Sequence, residues 1–263
     1  MSWGLLFDST RCIGCGACSA ACKEQNELPL PIEDHTTADT WTVVEDHGGA
    51  KVRRMCMHCL TPTCASVCPV GAMKKTAAGP VVYDADLCIG CRYCVMACPF
   101  GAPKYQWDRP VPLVGKCIMC APRIARGEPT ACASVCPTGA TKFGERDALI
   151  REARERIARE PSRYVDHVYG VEEAGGTSVL MLAGVPFSTL GLPGNLPPEP
   201  LPMLTWRVLG KIPDFVMVLG AFLYGVHWIT KRRAYVRMVE GDGPVEPPAS
   251  AHGAARGTGG MEP

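Results

Sequence analysis

The sixteen cysteines of this 263-residue chain fall into four groups of four, and none is left over. Two groups have the spacing C-x2-C-x2-C-x3-C, in which three close thiolates can bind three irons of one cubane and the fourth can reach another. The spacing predicts four [4Fe-4S] clusters, whose chemistry is electron transfer. In chain order the groups are Cys12, Cys15, Cys18 and Cys22; Cys56, Cys59, Cys64 and Cys68; Cys88, Cys91, Cys94 and Cys98; and Cys117, Cys120, Cys132 and Cys136.

Two other uses of cysteine compete with clusters. A disulfide framework is typical of small secreted domains, whereas these cysteines form tight local quartets and no apolar secretory segment is visible near Met1. Structural zinc is bound by two pairs of cysteines and has no use for a third cysteine two residues on. The spacing therefore disfavours both alternatives.

The residues beside the cysteines suit close contact with a cofactor. Small residues such as Gly14 and Gly90 let the backbone approach a cluster. Proline directly follows the last cysteine of three groups and suits the start of a helical turn there, whereas the first group has Lys23 in this place. His58 lies within a complete quartet, so we expect it beside the ligands or on the surface.

The cysteine groups form an internal repeat that predicts the elements around them. The tails of the last three groups are similar to one another, and each resembles the bacterial ferredoxin pattern of a short helix followed by a strand. The repeat predicts an α+β fold of two ferredoxin-like units of the bacterial type, with two clusters each. Candidate strands lie at 41–45, 80–83 and 140–143.

The segment after the last cysteine group predicts a surface helix and an extended arm. Residues 147–160 place Leu149 and Ile157 on one face and charged side chains on the other. A strand is expected at 177–183. Six prolines between 186 and 202 favour an extended backbone that could lie on another subunit.

One apolar segment near the C-terminal end predicts a transmembrane anchor. Residues 212–229 approach the roughly 20 residues that span a bilayer, and Trp206 and Trp228 lie near the expected interfaces. A buried helix of a soluble protein is the alternative. His227 could bind a haem, but its position near the helix end favours an interfacial role.

The charges around this segment predict its orientation in the cytoplasmic (inner) membrane. Cationic residues are more frequent after the span than before it, so the positive-inside rule places the C-terminus in the cytoplasm and the cluster region in the periplasm. With no signal-peptide pattern, periplasmic placement would require export with a partner that carries a twin-arginine signal. The cytoplasmic side stays open as the alternative. The cations are Arg207 and Lys211 before the span and Lys231, Arg232, Arg233 and Arg237 after it.

Composition completes this outline. The sequence predicts a cluster region at 1–145, a helix with a Pro-rich arm at 146–205, an anchor at 206–233 and a disordered tail at 234–263. The net charge of +1 gives no sign of a nucleic-acid partner. Several cations close in sequence to the cysteines balance charge, and some could tune cluster potentials. These cations are Arg11, Lys23, Lys74, Lys75, Arg92, Lys104, Lys116, Arg123, Arg126 and Lys142.

The second and third cysteine groups resemble a known family. Cys-x-His-Cys-x-x-Pro-x-Cys at 56–64 and Cys-Ile-Gly-Cys-Arg-Tyr-Cys at 88–94 are similar to the four-cluster iron-sulfur (beta) subunits of complex iron-sulfur oxidoreductases, such as respiratory formate dehydrogenase, dimethyl sulfoxide reductase and polysulfide reductase. Further on, 169–170, 175–177 and 184–187, followed by one C-terminal span, resemble the HybA-like and formate dehydrogenase beta branch. The resemblance covers about residues 5–235.

The resemblance implies which cysteines share a cluster, a question that spacing leaves open. In that family the first group pairs with the fourth and the second with the third, so that one ferredoxin unit is inserted in the other and the clusters form a row. The implied ligand sets are Cys12, Cys15 and Cys18 with Cys136; Cys117, Cys120 and Cys132 with Cys22; Cys56, Cys59 and Cys64 with Cys98; and Cys88, Cys91 and Cys94 with Cys68.

The resemblance also implies a function. The chain would be a non-catalytic subunit that relays electrons between a catalytic subunit and a membrane quinone-reactive subunit. The catalytic partner would be a molybdenum or tungsten bis-pterin enzyme of the formate dehydrogenase type, or a nickel-iron hydrogenase. The sequence contains no P-loop, dinucleotide or hydrolase motif. The competing hypotheses are a soluble polyferredoxin shuttle and an enzyme with an open iron, which complete quartets disfavour.

Overall fold

The computed structural model describes residues 2–241, and the chain divides into two compact units, Met1–Arg207 and Val208–Pro263. Both helices and strands are present. The strands are β1 (Trp3–Asp8), β2 (Val43–His47), β3 (Ala50–Arg54), β4 (Met73–Lys75), β5 (Val81–Tyr83), β6 (Lys104–Tyr105), β7 (Val114–Gly115), β8 (Thr141–Glu145) and β9 (Val179–Leu182). The helices are α1 (Ala17–Gln25), α2 (Thr63–Ser66), α3 (Tyr93–Ala97), α4 (Ala121–Ala125), α5 (Ala131–Ser134), α6 (Arg146–Arg159), α7 (Leu201–Leu209) and α8 (Ile212–Glu240).

Strand β1 is the centre of the first unit. It pairs antiparallel with β8 and parallel with β9 in a three-stranded sheet. Successive side chains of a strand point to opposite faces, so Leu6 packs with Leu149 and Ile157 of α6, whereas Leu5 and Phe7 pack in the cluster that contains buried cysteines. The sheet therefore separates the surface helix from the cysteine groups.

A buried ionic network fixes α6 to this sheet. Asp8 at the end of β1 is fully buried and accepts hydrogen bonds from Arg156 Nη1 at 2.8 Å, the Tyr164 hydroxyl at 2.9 Å and the Thr10 hydroxyl at 2.7 Å. Arg156 also pairs with Glu152 at 2.6 Å. Because a buried carboxylate is tolerated only when it is paired and hydrogen-bonded, this network joins the end of β1 to α6 and to Tyr164.

Four short helices contain cysteines of the four groups, and these helices pack in two pairs. Helix α1 of the first group packs against α5 of the fourth, and α2 of the second group packs against α3 of the third. Three two-stranded hairpins, β2–β3, β4–β5 and β6–β7, lie between them in sequence. These contacts bring together cysteines that are far apart in the chain.

The Pro-rich segment differs from the extended arm expected on another subunit. Phe187, Leu190 and Leu192 are buried in the core of the first unit, and Arg54 donates to the carbonyl of Leu190 at 2.7 Å. From residue 201 the chain is helical. Prolines prevent regular structure in this segment, but the large apolar residues between them need cover, and the first unit supplies it.

In the part of the chain that the structure describes, the second unit consists largely of the apolar helix α8. The helical stretch Leu201–Glu240 is long and apolar enough to cross a membrane, with a mean hydropathy of 1.5 in its best window. Helix α8 runs past the expected end of the anchor at 233, because no proline or glycine lies between Val226 and Glu240, and Gly241 with a φ of 85° ends the helix. The expected tail at 234–263 therefore starts within a helix, and 242–263 lie outside the described residues.

Candidate iron-sulfur centres

All sixteen cysteines are free thiols, which contradicts a disulfide framework. In the part of the chain that the structure describes, no three His, Cys, Asp or Glu side chains come close enough to hold a single metal ion. A zinc ion holds four sulfurs at about 2.3 Å from one centre, and this arrangement is not present.

The first and fourth groups meet at two places. One cavity is lined by Cys12, Cys15, Cys18 and Cys136, which we call site 1. A second cavity is lined by Cys117, Cys120, Cys132 and Cys22, which we call site 2. Burial and, after it, the charge of the neighbouring Cys132 raise the pKa of Cys22 to about 12.

The second and third groups meet in the same way. Cys56, Cys59, Cys64 and Cys98 lie together as site 3, and Cys88, Cys91, Cys94 and Cys68 lie together as site 4. Burial raises the pKa of Cys64 to about 12, with the charge of Cys56 as the next cause, and raises the pKa of Cys94 to about 11, with Cys88 and Cys91 contributing. In each of these two sites, three cysteines belong to one group and the fourth is the last cysteine of the other group.

The four sites follow one another in a row. Cys18 of site 1 interacts with Cys132 of site 2, Cys117 of site 2 with Cys56 of site 3, and Cys64 of site 3 with Cys94 of site 4. All four cysteines of site 2 are buried, whereas site 1 contains the exposed Cys15. Site 2 is therefore shielded from water, whereas site 1 is open to it.

Two family models match the chain, both described as 4Fe-4S dicluster domains, at residues 11–72 and 50–146. A protein of Nitratidesulfovibrio vulgaris is 43% identical over 257 residues, which cover 91% of this chain and 70% of that protein. The hydrogenase-2 operon protein HybA of Escherichia coli O157:H7 is 37% identical over 239 residues, or 73% of each chain. The formate dehydrogenase-O iron-sulfur subunit of Escherichia coli (strain K12) is 35% identical over 213 residues, which cover 72% of this chain and 70% of the relative. The chain belongs to this family of iron-sulfur subunits.

Membership confirms the cofactor and the class of chemistry that the cysteine spacing predicts. This iron-sulfur subunit carries four [4Fe-4S] clusters, two for each dicluster domain. Its work is electron transfer within an oxidoreductase complex. Two of the relatives are named as iron-sulfur subunits of formate dehydrogenases, and another as a hydrogenase-2 operon protein.

Backbone N–H groups surround the last cysteine of three groups in the iron-sulfur subunit. After Cys136 and Cys68 the chain turns through Gly139 and Gly71, whose φ values of 61° and 65° suit glycine. Burial alone would raise the pKa of both thiols, but N–H groups from the turn, such as that of Thr141 at 3.4 Å from Cys136, outweigh it and lower the pKa. Donors aimed at the sulfur stabilise a thiolate ligand.

Cys22 has a different environment because no proline follows it. Helix α1 continues to Gln25, so no turn wraps around the sulfur. Asn26 Nδ2 instead lies 3.6 Å from Cys22 Sγ and 2.8 Å from the Cys22 carbonyl. A side-chain amide thus lies beside this sulfur in place of the backbone donors of the other groups.

One left-handed residue precedes the second cysteine of every group. In sites 1 and 4 this residue is glycine, Gly14 with φ 74° and Gly90 with φ 70°. In sites 2 and 3 it is Met119 with φ 52° and His58 with φ 50°, and both side chains are buried. Left-handed backbone strains a residue with a Cβ. Met119 and His58 are therefore strained, and each places a buried side chain where the other two sites have glycine.

The His58 side chain fits contact with a cluster. It is fully buried, so the surface alternative for it is wrong. Its Nδ1 accepts a hydrogen bond from the Val81 N–H at 2.9 Å, which leaves the ring proton on Nε2. In the described part of the chain Nε2 has no protein partner, although it is buried. Buried donors rarely lack an acceptor, and a sulfur atom of the bound cluster would supply one.

Proposed function

We propose that this subunit relays electrons through the row of four clusters, from a catalytic subunit to a membrane quinone-reactive subunit or in the reverse direction. The catalytic partner is of the type that the relatives' names indicate, a molybdenum or tungsten formate dehydrogenase or a nickel-iron hydrogenase. The observation that carries the proposal is the succession of four cysteine quartets, each next to the following one. When bound, a [4Fe-4S] cluster takes up and releases an electron.

The ligand sets proposed here are sites 1 to 4 as defined above. The supporting observation is the exchange of last cysteines, which places Cys136 in the cavity of site 1 and Cys22 in that of site 2. The packing of α1 on α5 and of α2 on α3 also supports it. The first unit is accordingly proposed to contain two ferredoxin-like units, one inserted in the other.

Both ends of the row are proposed to contact partners. Around site 4 the apolar side chains of Ile89, Tyr93 and Met96 are exposed, and near site 1 Ile13 is exposed. Exposed apolar residues grouped in this way mark protein contacts more often than free surface. The protein between the two ends of the row excludes water from site 2. We expect this exclusion of water to keep electrons on the clusters of the row.

The second unit is proposed to anchor the subunit in the cytoplasmic membrane as a single span. The apolar helix supports this, and the cations that follow it support a cytoplasmic C-terminus with the cluster region in the periplasm. His227 on α8 is proposed to lie at the interface. A cysteine introduced at the exposed Met238 tests the side: labelling by a membrane-impermeant maleimide in intact spheroplasts would contradict the proposed orientation.

The serial relay is tested with Cys91→Ala in the assembled membrane complex. This variant should lose one cluster, while the catalytic partner stays active with artificial dyes and electron flow to quinone falls at least tenfold. Unchanged quinone reduction in a variant that has lost the cluster would refute the relay. The wild-type subunit should hold about sixteen iron atoms per chain.

A soluble polyferredoxin is the second candidate, favoured by the compactness of the first unit alone. The two candidates differ in how the subunit leaves the membrane. Release of the intact chain from membranes by high salt alone would favour the soluble carrier. A requirement for detergent would favour the anchored subunit.

A further inference from the structure

Arg53 is a buried cation that the charge pattern of the sequence did not single out. Its side chain is 1% exposed on β3 and lines the cavity of site 2. Its Nε donates to the Thr42 hydroxyl at 2.9 Å and its Nη1 to the Thr141 hydroxyl at 3.1 Å. Within residues 2–241 no carboxylate lies within the 4.0 Å of an ion pair with it.

This arrangement needs an anion that the protein's carboxylates do not provide. A guanidinium cannot lose its proton in a protein, and a buried charge without a partner is strongly unfavourable. Two hydroxyl oxygens satisfy hydrogen bonds but carry no charge. The groups with negative charge that act on Arg53 are Cys132 and Cys117 of site 2 and Cys18 of site 1.

Arg53 is also connected to the other side of the junction between sites 1 and 2. Thr141 accepts a hydrogen bond from Arg53 through its hydroxyl and donates its own N–H to Cys136 of site 1 at 3.4 Å. The guanidinium thus lies between the two sites, and burial removes the water that would screen its charge. Its field therefore acts on both sites, and more strongly on site 2.

We propose that Arg53 is the permanent counter-cation at the junction of sites 1 and 2, a positioning residue that raises the reduction potential of the cluster in site 2. Reduction adds a negative charge to a cluster, and a fixed cation nearby stabilises the reduced form more than the oxidised form. The inference rests on the ligand sets of the proposed function. It adds a residue outside those sets that determines how readily an electron stays on site 2.

The test compares three variants of the full-length subunit in its complex, by iron content and by EPR at a series of fixed potentials. Arg53→Gln removes the charge and keeps a hydrogen-bond donor. Arg53→Lys keeps the charge. Arg126→Gln is the matched control, because it removes the same charge from an exposed side chain paired only with Glu128. Compared with wild type, the three variants distinguish an effect of the charge at position 53 from an effect of side-chain shape.

In Arg53→Gln with full iron content, we expect the reduction equilibrium of one cluster to fall at least tenfold, a shift of about 59 mV to lower potential. The reduction potential of a second cluster should shift less, and the potentials of the other two clusters should not change. Arg53→Lys and Arg126→Gln should stay close to wild type. Unchanged potentials in Arg53→Gln, or an equal shift in Arg126→Gln, would overturn the inference.

Assembly failure is also informative. If Arg53→Gln does not load iron, the result for Arg53→Lys distinguishes the two explanations. Iron loading and wild-type potentials in Arg53→Lys would support a requirement for positive charge at this position. Failure of Arg53→Lys to load iron would overturn the inference and indicate a requirement for the shape of the arginine side chain. These outcomes differ from failure of the proposed function, in which the wild-type chain itself would hold far less than about sixteen iron atoms.

Discussion

Replacement of His58 by glycine should lower the reduction potential of the cluster in site 3 and lower the stability of the subunit. The imidazole is buried, its proton is held on Nε2 by the Val81 N–H, and Nε2 has no protein acceptor among the described residues. If a cluster sulfur is the acceptor, this bond strengthens when the cluster gains an electron. Loss of the donor should therefore disfavour reduction.

The size of both effects follows from the geometry. A hydrogen bond to a charged group contributes about 1.5–3 kcal/mol; if about 1 kcal/mol of this depends on the electron, the potential falls by roughly 40 mV for a one-electron couple. The lost acceptor for Val81 costs about 1–3 kcal/mol. Glycine recovers about 1–2 kcal/mol, because His58 has a φ of 50°. These two terms roughly cancel, but the cavity left by the buried imidazole costs about 2–5 kcal/mol more, so iron content is measured first to show that the variant is fully assembled.

Redox titration followed by EPR measures the change, and Met119→Gly is the matched control. Met119 occupies the same left-handed position in site 2, but its side chain has no N–H donor. In wild type made with ¹⁵N-histidine, pulsed EPR should also find a nitrogen coupled to one reduced cluster, and His58→Gly should abolish it. Wild-type potentials in a fully loaded His58→Gly subunit would show that the reasoning is wrong.

Three further outcomes are expected. Burial would raise the pKa of Glu152, but hydrogen bonds from Lys142 and Arg156 lower it. The ionised Glu152 stabilises the folded state by about 0.5–1 kcal/mol. This stabilisation is present above pH 4.5 and is lost as the pH falls through the lowered pKa. The difference between wild type and Glu152→Gln in thermal unfolding should shrink from pH 6 to pH 4, and a constant difference would contradict this. Gly115→Ala should destabilise by about 1–3 kcal/mol in denaturant unfolding, because a Cβ there would overlap the Ala38 carbonyl; wild-type stability would refute the overlap. Raising the salt concentration should shift the potential of site 1 more than that of site 2, since salt screens exposed charges most, and equal shifts in redox titration would argue against a dry inner row.

The sequence predicted the elements whose signal is local. Strands expected at 80–83 and 140–143 are β5 and β8 within one or two residues, and the helix expected at 147–160 is α6. The strands were expected from the ferredoxin-like repeat, and the helix from its apolar stripe and charged face. The central strand β1 was not predicted, because it is covered on both faces and so lacks an alternating pattern.

The cysteine spacing was sufficient for the cofactor but not for the ligand sets. Each triplet is local, so it is visible in the sequence, whereas the proposed fourth ligand comes from a distant group and depends on how α1, α2, α3 and α5 pack. The spacing suggested that the fourth cysteine reaches another cluster, and the family resemblance suggested which one. The burial of Arg53 could also not be predicted from the sequence. It depends on the contacts of Arg53 with Thr42 and Thr141, which are distant in the chain, and not on its neighbours in sequence.

The inner and outer sites of the row differ in a consistent physical way. Sites 2 and 3 have a buried side chain at the left-handed position, and Lys116, which is also buried, lies beside Cys117 of site 2 and acts on Cys64 of site 3. Its Nζ donates to the carbonyls of Val81 and Cys117 at 2.5 and 3.0 Å and has no carboxylate partner within residues 2–241. Together with Arg53, this cation means that each of the first two junctions of the row contains a fixed positive charge. Adding electrons to adjacent clusters creates mutual repulsion in a medium of low dielectric constant, and buried cations at the junctions offset it where water cannot.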